Sequence, residues 1–199
     1  MNTNRTLGLI TAGLVLTALV LATIRFTTAP KAMTVPENLY GQVTPFQLPS
    51  VTMESDQGKA VQWQDFDDTP LFLTTGFTSC EYTCPMTMAF YQKLAKKVNN
   101  DARLAFLTVD PDTDTPAQLN HYLKSYGQEF VGLRVQQKQQ LETVMNSLKQ
   151  TYALAGASKN IGHQSYIYLK HPKLKGLIVY TADQPNVSLM QQDLKKLSL

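Results

Sequence analysis

Hydrophobic and polar residues follow several patterns along the chain, and the first hydrophobic run differs from the later ones. Residues 7–24 form a stretch of 18 residues without a charge, bounded by Arg5 and Arg25. A run of this length predicts a membrane-spanning helix. A cleaved signal peptide is the alternative, but the small residues around Ala29 form no A-x-A cleavage pattern. We therefore expect residues 1–25 to be an uncleaved membrane anchor.

Residues 26–45 contain three prolines and one glycine and show little hydrophobic periodicity. This composition predicts a linker between the anchor and the part of the chain that folds. Residues 46–199 remain for a folded domain, and about 150 residues can bury a single hydrophobic core. One domain is expected.

Alternating and continuous hydrophobic runs predict the first strands of this domain. Residues 46–66 alternate around a polar turn at residues 55–59, which predicts a β-hairpin. Residues 70–77 and 103–109 are apolar runs of strand length, typical of buried central strands. Apolar residues recur at helical spacing over residues 85–99, so this part is predicted to form a β-α-β unit with parallel strands.

The second half of the domain continues the alternation of helices and strands. Thr115 and Pro116 are residue types that favour the start of a helix, and a strand at 131–135 and a helix at 138–152 follow. The last predicted elements are strands at 165–170 and 177–181 and a helix from residue 186. This order predicts an α/β domain with a thioredoxin-like fold and an N-terminal β-hairpin, preceded by one transmembrane helix.

The net charge of the chain bears on one class of function, nucleic-acid binding. The formal net charge is +3 at pH 7, and the 18 basic residues include Arg5 and Arg25 of the anchor region. Beyond the anchor, 16 basic residues therefore stand against 15 acidic ones. A domain with so little excess positive charge gives no support for nucleic-acid binding.

The two cysteines are the clearest candidates for chemistry. Cys80 and Cys84 directly follow the predicted strand at residues 70–77, and they are the only cysteines in the chain. A disulfide that closes so short a loop would add little stability, so an inert structural bridge is the weakest interpretation. Cys84 lies at the start of the predicted helix, where the helix dipole favours a thiolate.

The surroundings of this pair leave a redox enzyme and a metal site as alternatives. Dithiol oxidoreductases normally have two residues between their cysteines, whereas this chain has three. They also place a proline opposite the dithiol, and the corresponding region at residues 161–164 has none. His163 stands there instead. Two thiolates and one imidazole are a ligand set that suits Cu(I) and would also accept Zn(II).

Four motifs occur in the order and at the spacing of a known family. They are GFTSC-x-x-x-CP at 76–85, FLTVDP-x-x-DTP-x-x-L-x-x-Y at 106–122, F-x-GL at 130–133 and GH-x-x-x-x-YL at 162–169. On these motifs the chain resembles the Sco/SenC family over about 130 residues. The resemblance implies a membrane-anchored, thioredoxin-like protein that handles copper during assembly of the binuclear copper site of cytochrome c oxidase. It also implies that Cys80, Cys84 and His163 are the metal ligands.

The chain departs from the common family pattern beside these ligands. Many members have Pro and Asp between the cysteines, where this chain has Glu81 and Tyr82, and many have Asp before the histidine, where it has Gly162. A carboxylate beside a ligand histidine orients the ring and raises its basicity. The departures keep the three ligands, and we expect them to bear on copper affinity and on the balance between copper delivery and thiol reduction.

The expected function is therefore that of a metallochaperone that binds copper, as Cu(I) or Cu(II), and delivers it to the copper-site subunit of cytochrome c oxidase. The alternative is a thiol-disulfide oxidoreductase in which Cys80 and Cys84 form a redox-active dithiol that reduces a partner's cysteines. Another copper chaperone or a thiol reductase would be a further partner. The N-terminal helix would hold the protein in the inner (cytoplasmic) membrane as a single-pass protein, with its domain on the periplasmic side.

Two methionines could offer sulfur to Cu(I), and two histidines lie elsewhere in the domain. Met86 and Met88 lie at the start of the predicted helix, where core packing is the expected role. His121 falls on a predicted helix and His171 in a turn before a proline, and both are predicted to be solvated.

The acidic segment after the second central strand resembles the start of a calcium-binding loop. Asp110, Asp112 and Asp114 have the spacing of the first three ligands, but Thr115 and His121 stand where such a loop needs glycine and glutamate. The segment is therefore predicted to form a turn and a helix cap.

Overall fold

The computed structural model describes residues 35–81, 83–150, 166–181 and 185–198. Contacts within the chain separate Met1–Thr34 from a second compact unit, Val35–Leu199, to which all described residues belong. None of the helices in these ranges has the length and apolar character that crossing a membrane requires. The anchor predicted at residues 7–24 lies outside the described residues.

An eight-stranded mixed β-sheet is the framework of the domain. Its strands are β1 (Gln42–Thr44), β2 (Met53–Ser55), β3 (Ala60–Val61), β4 (Leu71–Gly76), β5 (Arg103–Thr108), β6 (Phe130–Arg134), β7 (Ile167–Lys170) and β8 (Leu177–Tyr180). They lie in the order β1-β8-β7-β4-β5-β6-β2-β3 across the sheet. The pairs β4–β5 and β5–β6 are parallel, and β7 runs antiparallel to β4.

The described α-helices connect and flank these strands. They are α1 (Thr83–Val98), α2 (Pro116–Lys124), α3 (Lys138–Ser147) and α4 (Val187–Ser198). The predicted β-α-β unit is confirmed as β4, α1 and β5. Thr115 caps α2 as predicted, because its hydroxyl accepts a hydrogen bond from the backbone N–H of Gln118.

The central strand β4 is buried on both faces, which explains its continuous apolar sequence. All six of its residues are buried. Side chains of successive strand residues point to opposite faces. Leu73 therefore contributes to a hydrophobic cluster on one face, together with Leu107. Phe72 contributes to the cluster on the other face, together with Phe106.

The predicted N-terminal hairpin is confirmed over a shorter length than the alternation indicated. Met53 pairs with Val61 in antiparallel register. The next residues, Trp63–Phe66, form a 3-10 turn instead of extending the strand. The turn is stabilised at its start because Asp65 accepts a hydrogen bond from the backbone N–H of Gln62 at 2.8 Å.

Part of the segment predicted as linker is built into the sheet. Strand β1 pairs antiparallel with β8, and the buried carboxylate of Asp193 on α4 accepts hydrogen bonds at 2.9 Å from the backbone N–H groups of Tyr40 and Gly41. The sequence reading missed this strand because its three residues are too short for a periodic signal and its partners lie near the other end of the chain.

Candidate metal centre

The two cysteines lie on the loop between β4 and α1. This loop leaves the sheet at the carboxyl ends of the parallel strands β4 and β5, which is the edge where open α/β sheets place their functional sites. Both cysteines are present as reduced thiols, with Cys84 buried in the first turn of α1 and Cys80 half-buried. The expected position of the pair is therefore confirmed.

The two sulfur atoms are held together by local hydrogen bonds. The backbone N–H of Cys84 donates to the sulfur of Cys80 at 3.3 Å, and the two thiol groups also form a side-chain hydrogen bond with each other. A backbone hydrogen bond from Phe77 reaches the sulfur of Cys84. The loop thus brings together two soft sulfur donors, which fit Cu(I) or Zn(II) as ligands.

Burial determines the protonation of Cys84. Only 1% of Cys84 is exposed. Desolvation raises the pKa of its thiol well above the ordinary value, the Phe77 hydrogen bond lowers that pKa, and Cys80 and Asp114 raise it further. The expectation that the helix start would make Cys84 a thiolate is therefore wrong for the metal-free protein. A metal ion would have to displace this proton on binding.

Gly76, the last residue of β4, leaves the space that the buried thiol occupies. A Cβ atom on Gly76 would lie 2.8 Å from two ring atoms of Phe106 and 2.9 Å from the sulfur of Cys84. Non-bonded carbon–carbon and carbon–sulfur distances below 3.0 Å are too short, so the neighbouring atoms would have to shift. A side chain at this position would therefore push apart the Phe106 ring and the thiol.

Asp114 anchors the start of the cysteine loop. Its side chain is fully buried and accepts hydrogen bonds from the backbone N–H of Thr78 at 3.0 Å, from the Thr78 hydroxyl at 2.5 Å and from the Thr108 hydroxyl at 2.5 Å. Burial raises the pKa of Asp114, whereas these hydrogen bonds lower it. The acidic segment is a turn before α2, as predicted, but this carboxylate also joins the loop to the end of β5.

A surface cavity of about 490 Å³ opens beside the loop. Thr78 contributes to its lining from the loop, and the remaining lining residues lie on or just after α2, among them His121, Tyr122 and Ser125. The ring of Tyr122 lies against Phe106, with centroids 5.7 Å apart. The Tyr122 hydroxyl is buried and has no hydrogen-bond partner among the described residues.

The remaining candidate ligands have different outcomes. His163 lies outside the described residues, so its predicted role stays a prediction. Within the ranges that the structure describes, no group of three or more His, Cys, Asp or Glu side chains is arranged to hold a metal ion. His121 is exposed, as predicted, and Met88 is a core residue.

Two of the predictions about these side chains are wrong. Met86 is 67% exposed, because α1 turns Cys84, Met88 and Tyr91 towards the core and leaves Met86 on the opposite side. His171 is only 4% exposed, and its Nδ1 accepts a hydrogen bond from the backbone N–H of Lys173 at 3.2 Å. Burial and the nearby Lys173 charge lower the pKa of His171 to about 4.

The chain is similar in sequence to proteins of a known family. A family model described as SCO1/SenC matches residues 43–198. An SCO2-like protein of Rickettsia felis is 30% identical over 124 residues, which cover 58% of this chain and 60% of that protein. The chain thus spans less than two thirds of this relative's length.

Solved structures share the fold at lower sequence identity. The crystal structure of Arabidopsis thaliana ScoI with copper bound has a TM-score of 0.67 and 23% identity, covering 75% of this chain and 97% of that chain. BsSco, described as a member of the Sco family of cytochrome c oxidase assembly proteins with a disulfide switch, has a TM-score of 0.67 and 23% identity, covering 83% and 98%. The likeness confirms the predicted thioredoxin-like α/β fold.

Proposed function

This chain belongs to the SCO1/SenC family, and from that premise we propose that it is a copper-binding metallochaperone. The observation that carries the proposal is the pair of thiols at Cys80 and Cys84, held in hydrogen-bond contact at the carboxyl end of the central strand. Two thiolates are soft ligands that favour Cu(I). Copper is the cargo of such a protein, and the pair would hold it between acquisition and delivery.

The unequal burial of the two sulfurs suggests an order for copper transfer. Cys84 is buried, whereas Cys80 is half-buried and lies where a partner's ligand can approach. We expect an incoming ligand to replace Cys80 first and Cys84 last, because only Cys80 can be reached without opening the loop. Both cysteines then take up protons, and burial favours the neutral thiol at Cys84.

His163 is proposed as the third ligand, on the strength of the GH-x-x-x-x-YL motif that contains it. An imidazole would complete a three-coordinate site for Cu(I) and would help to hold Cu(II), which prefers nitrogen ligands more than Cu(I) does. The proposed acceptor of the copper is the copper-site subunit of cytochrome c oxidase, with another copper chaperone or a thiol reductase as a further partner. Residues 1–25 would anchor the protein in the inner membrane and leave the domain in the periplasm.

A thiol-disulfide oxidoreductase is the second candidate. The observation in its favour is the same asymmetry, since a half-buried thiol beside a buried one can attack a partner disulfide and then be released by its neighbour. The partner disulfide would be reduced to two thiols, and Cys80 and Cys84 would be oxidised to a disulfide. His163 would have no part in that reaction.

An anaerobic Cu(I) titration of the full-length protein in detergent tests the first proposal. We expect one copper ion per chain, bound in competition with a Cu(I) chelator, and a large loss of affinity for Cys80→Ser and Cys84→Ser. His163→Ala should weaken binding, whereas the exposed His121→Ala, a matched control, should not. Equal affinity in the wild type and Cys84→Ser would overturn the metallochaperone proposal, and equal affinity without His163 would remove it from the ligand set.

A further inference from the structure

Six lysines lie at the end of the sheet opposite the cysteine loop. Four are in the last turns of α1 and α4, and two are in the turn between β7 and β8. These six residues, called the lysine patch below, are Lys96, Lys97, Lys195, Lys196, Lys173 and Lys175. All are exposed except Lys196, which is half-buried.

The directions of the strands bring these lysines to one end of the domain. Lys170 at the end of β7 pairs with Leu71 at the start of β4 and with Leu177 at the start of β8. The turn between β7 and β8 therefore lies at the start of β4, whereas the cysteines follow its end. Helix α1 leads from the cysteine loop to β5, which is parallel to β4, so α1 ends at the starts of these strands.

Hydrogen bonds connect the two helix ends and the turn. The side-chain amide of Gln191 on α4 donates to the backbone carbonyl of Lys97 at 2.5 Å. The ammonium group of Lys173 donates to the carbonyl of Ser198, the last residue of α4, at 3.2 Å. The lysine patch is therefore one surface that includes both helices and the turn.

Positive charge is in excess on this surface. On the same side of the sheet and at the same end, the exposed carboxylates in the described part of the chain are Glu37, Asp101 and Glu129. The acidic turn around Asp67 belongs to the other face of the sheet, where Asp67 pairs with Lys170 at 2.6 Å. Six lysines thus stand against three carboxylates.

Exposed hydrophobic side chains adjoin the lysine patch. Lys196 donates to the carbonyl of Asn38 at 2.7 Å, so the segment at residues 35–43 reaches the patch. Three large hydrophobic side chains in this segment are 39–42% exposed, namely Val35, Tyr40 and Val43. Lysines at a helix end also stabilise the helix dipole, but that role involves neither Lys175, which is on no helix, nor these apolar side chains.

We propose that the lysine patch binds a membrane surface that contains anionic lipids, and this rests on the membrane anchor of the proposed function. Lysines beside exposed apolar side chains are the combination that attracts a protein to anionic headgroups. A membrane is favoured over an acidic protein because residues 25–34, which join the predicted anchor to Val35, span at most about 36 Å. So short a tether keeps headgroups at a high effective concentration.

Membrane binding through the patch would orient the copper site. The patch and the cysteines lie at opposite ends of β4, whose six residues span roughly 20 Å. Binding therefore turns Cys80 and Cys84 away from the bilayer, where a partner protein can approach them.

Acetylation of individual lysines, measured by mass spectrometry, tests the proposal in the full-length protein. The protein is reconstituted into vesicles of phosphatidylcholine with or without phosphatidylglycerol. We expect Lys97 and Lys175 to react at least about fivefold more slowly in the anionic vesicles, the effect of one lysine at an anionic surface. High salt should remove this protection. The exposed Lys138, at the start of α3, should react equally in both kinds of vesicle.

Two variants with the same loss of charge show whether the patch is responsible. Lys96→Gln with Lys195→Gln should abolish the protection of Lys97 and Lys175. The control, Lys59→Gln with Lys138→Gln, changes exposed lysines elsewhere and should keep it. Equal acetylation in the two kinds of vesicle, or the same loss in both variants, would overturn the proposal. Protection that requires an added acidic protein instead of anionic lipid would also overturn it.

Flotation separates failure of the anchor from failure of the patch. A wild type that leaves neutral vesicles in an alkaline wash has no inserted anchor, and that part of the proposed function fails. Flotation with anionic vesicles at neutral pH then decides the role of the patch. Salt-sensitive flotation, lost only in Lys96→Gln with Lys195→Gln, would support lipid binding, and no flotation would overturn it.

Discussion

Replacing Asp114 with alanine should loosen the cysteine loop without touching either sulfur. The fully buried carboxylate accepts three hydrogen bonds, from the Thr78 backbone N–H, the Thr78 hydroxyl and the Thr108 hydroxyl. The two hydroxyls can rotate towards other acceptors, but the backbone N–H cannot. Alanine therefore leaves at least one buried donor without a partner, in addition to a small cavity.

The size of the effect can be worked out from these contacts. An unsatisfied buried donor costs about 1–3 kcal/mol, and each hydrogen bond to a charged group contributes about 1.5–3 kcal/mol. The desolvation that raises the pKa of Asp114 offsets part of this gain. We expect the free energy of unfolding to fall by about 3 kcal/mol, which lowers Tm by roughly 6–12 °C in a domain of this size.

Chemical denaturation measures this loss, and the exposed Asp112→Ala in the same turn is the matched control. A second measurement follows Cys84, whose thiol is 1% exposed and should be alkylated slowly in the native wild type. Because Thr78 is released in Asp114→Ala, alkylation of Cys84 should become at least tenfold faster, as a local opening made about 1.4 kcal/mol easier would give. Unfolding free energies within about 0.5 kcal/mol for the two variants would refute the argument that Asp114 holds the loop.

Three further predictions concern other buried groups. Gly76→Ala should destabilise the domain by about 1–3 kcal/mol and weaken Cu(I) binding, because the new Cβ displaces Cys84; unchanged denaturation and copper titrations would contradict it. His171 has a folded-state pKa of about 4, below its unfolded value of about 6.5, so the stability that depends on its neutral form is present above pH 6.5 and is lost as pH falls towards 4. The free energy of unfolding should depend less on pH across this range in His171→Gln than in the wild type. The exposed control His121→Gln should keep the pH dependence of the wild type. Asp193→Ala should cost about 2–4 kcal/mol and increase hydrogen exchange at Tyr40, and protection equal to that of the wild type would show that Asp193 does not hold the N-terminal segment.

The central part of the fold could be predicted from sequence because its signals are local. The strands at 70–77 and 103–109, the helix between them and the cysteine loop are all marked by residues within a few positions of each other. The face of the helix that is buried is harder to predict than the helix itself. A helical pattern that starts at Met86 places this residue in the core, whereas α1 begins at Thr83 and buries Cys84 and Met88.

The features that sequence reasoning missed depend on contacts between distant residues. Asp114 and Thr78 are 36 positions apart, and Asp193 lies 153 positions from Tyr40, so no periodic pattern connects them. The start of a helix favours the thiolate of Cys84, but burial outweighs the helix dipole once the loop packs into the core.

The order of strands across the sheet also determines when the cysteines become buried during synthesis. Strand β4 needs β7 beside it, with Leu71 paired to Lys170, and β1 needs β8, with Gln42 paired to Val179. A growing chain therefore emerges with Cys80 and Cys84 well before the strands that complete the sheet around them. Until those strands arrive, the thiol of Cys84 lacks its finished core and stays open to solvent.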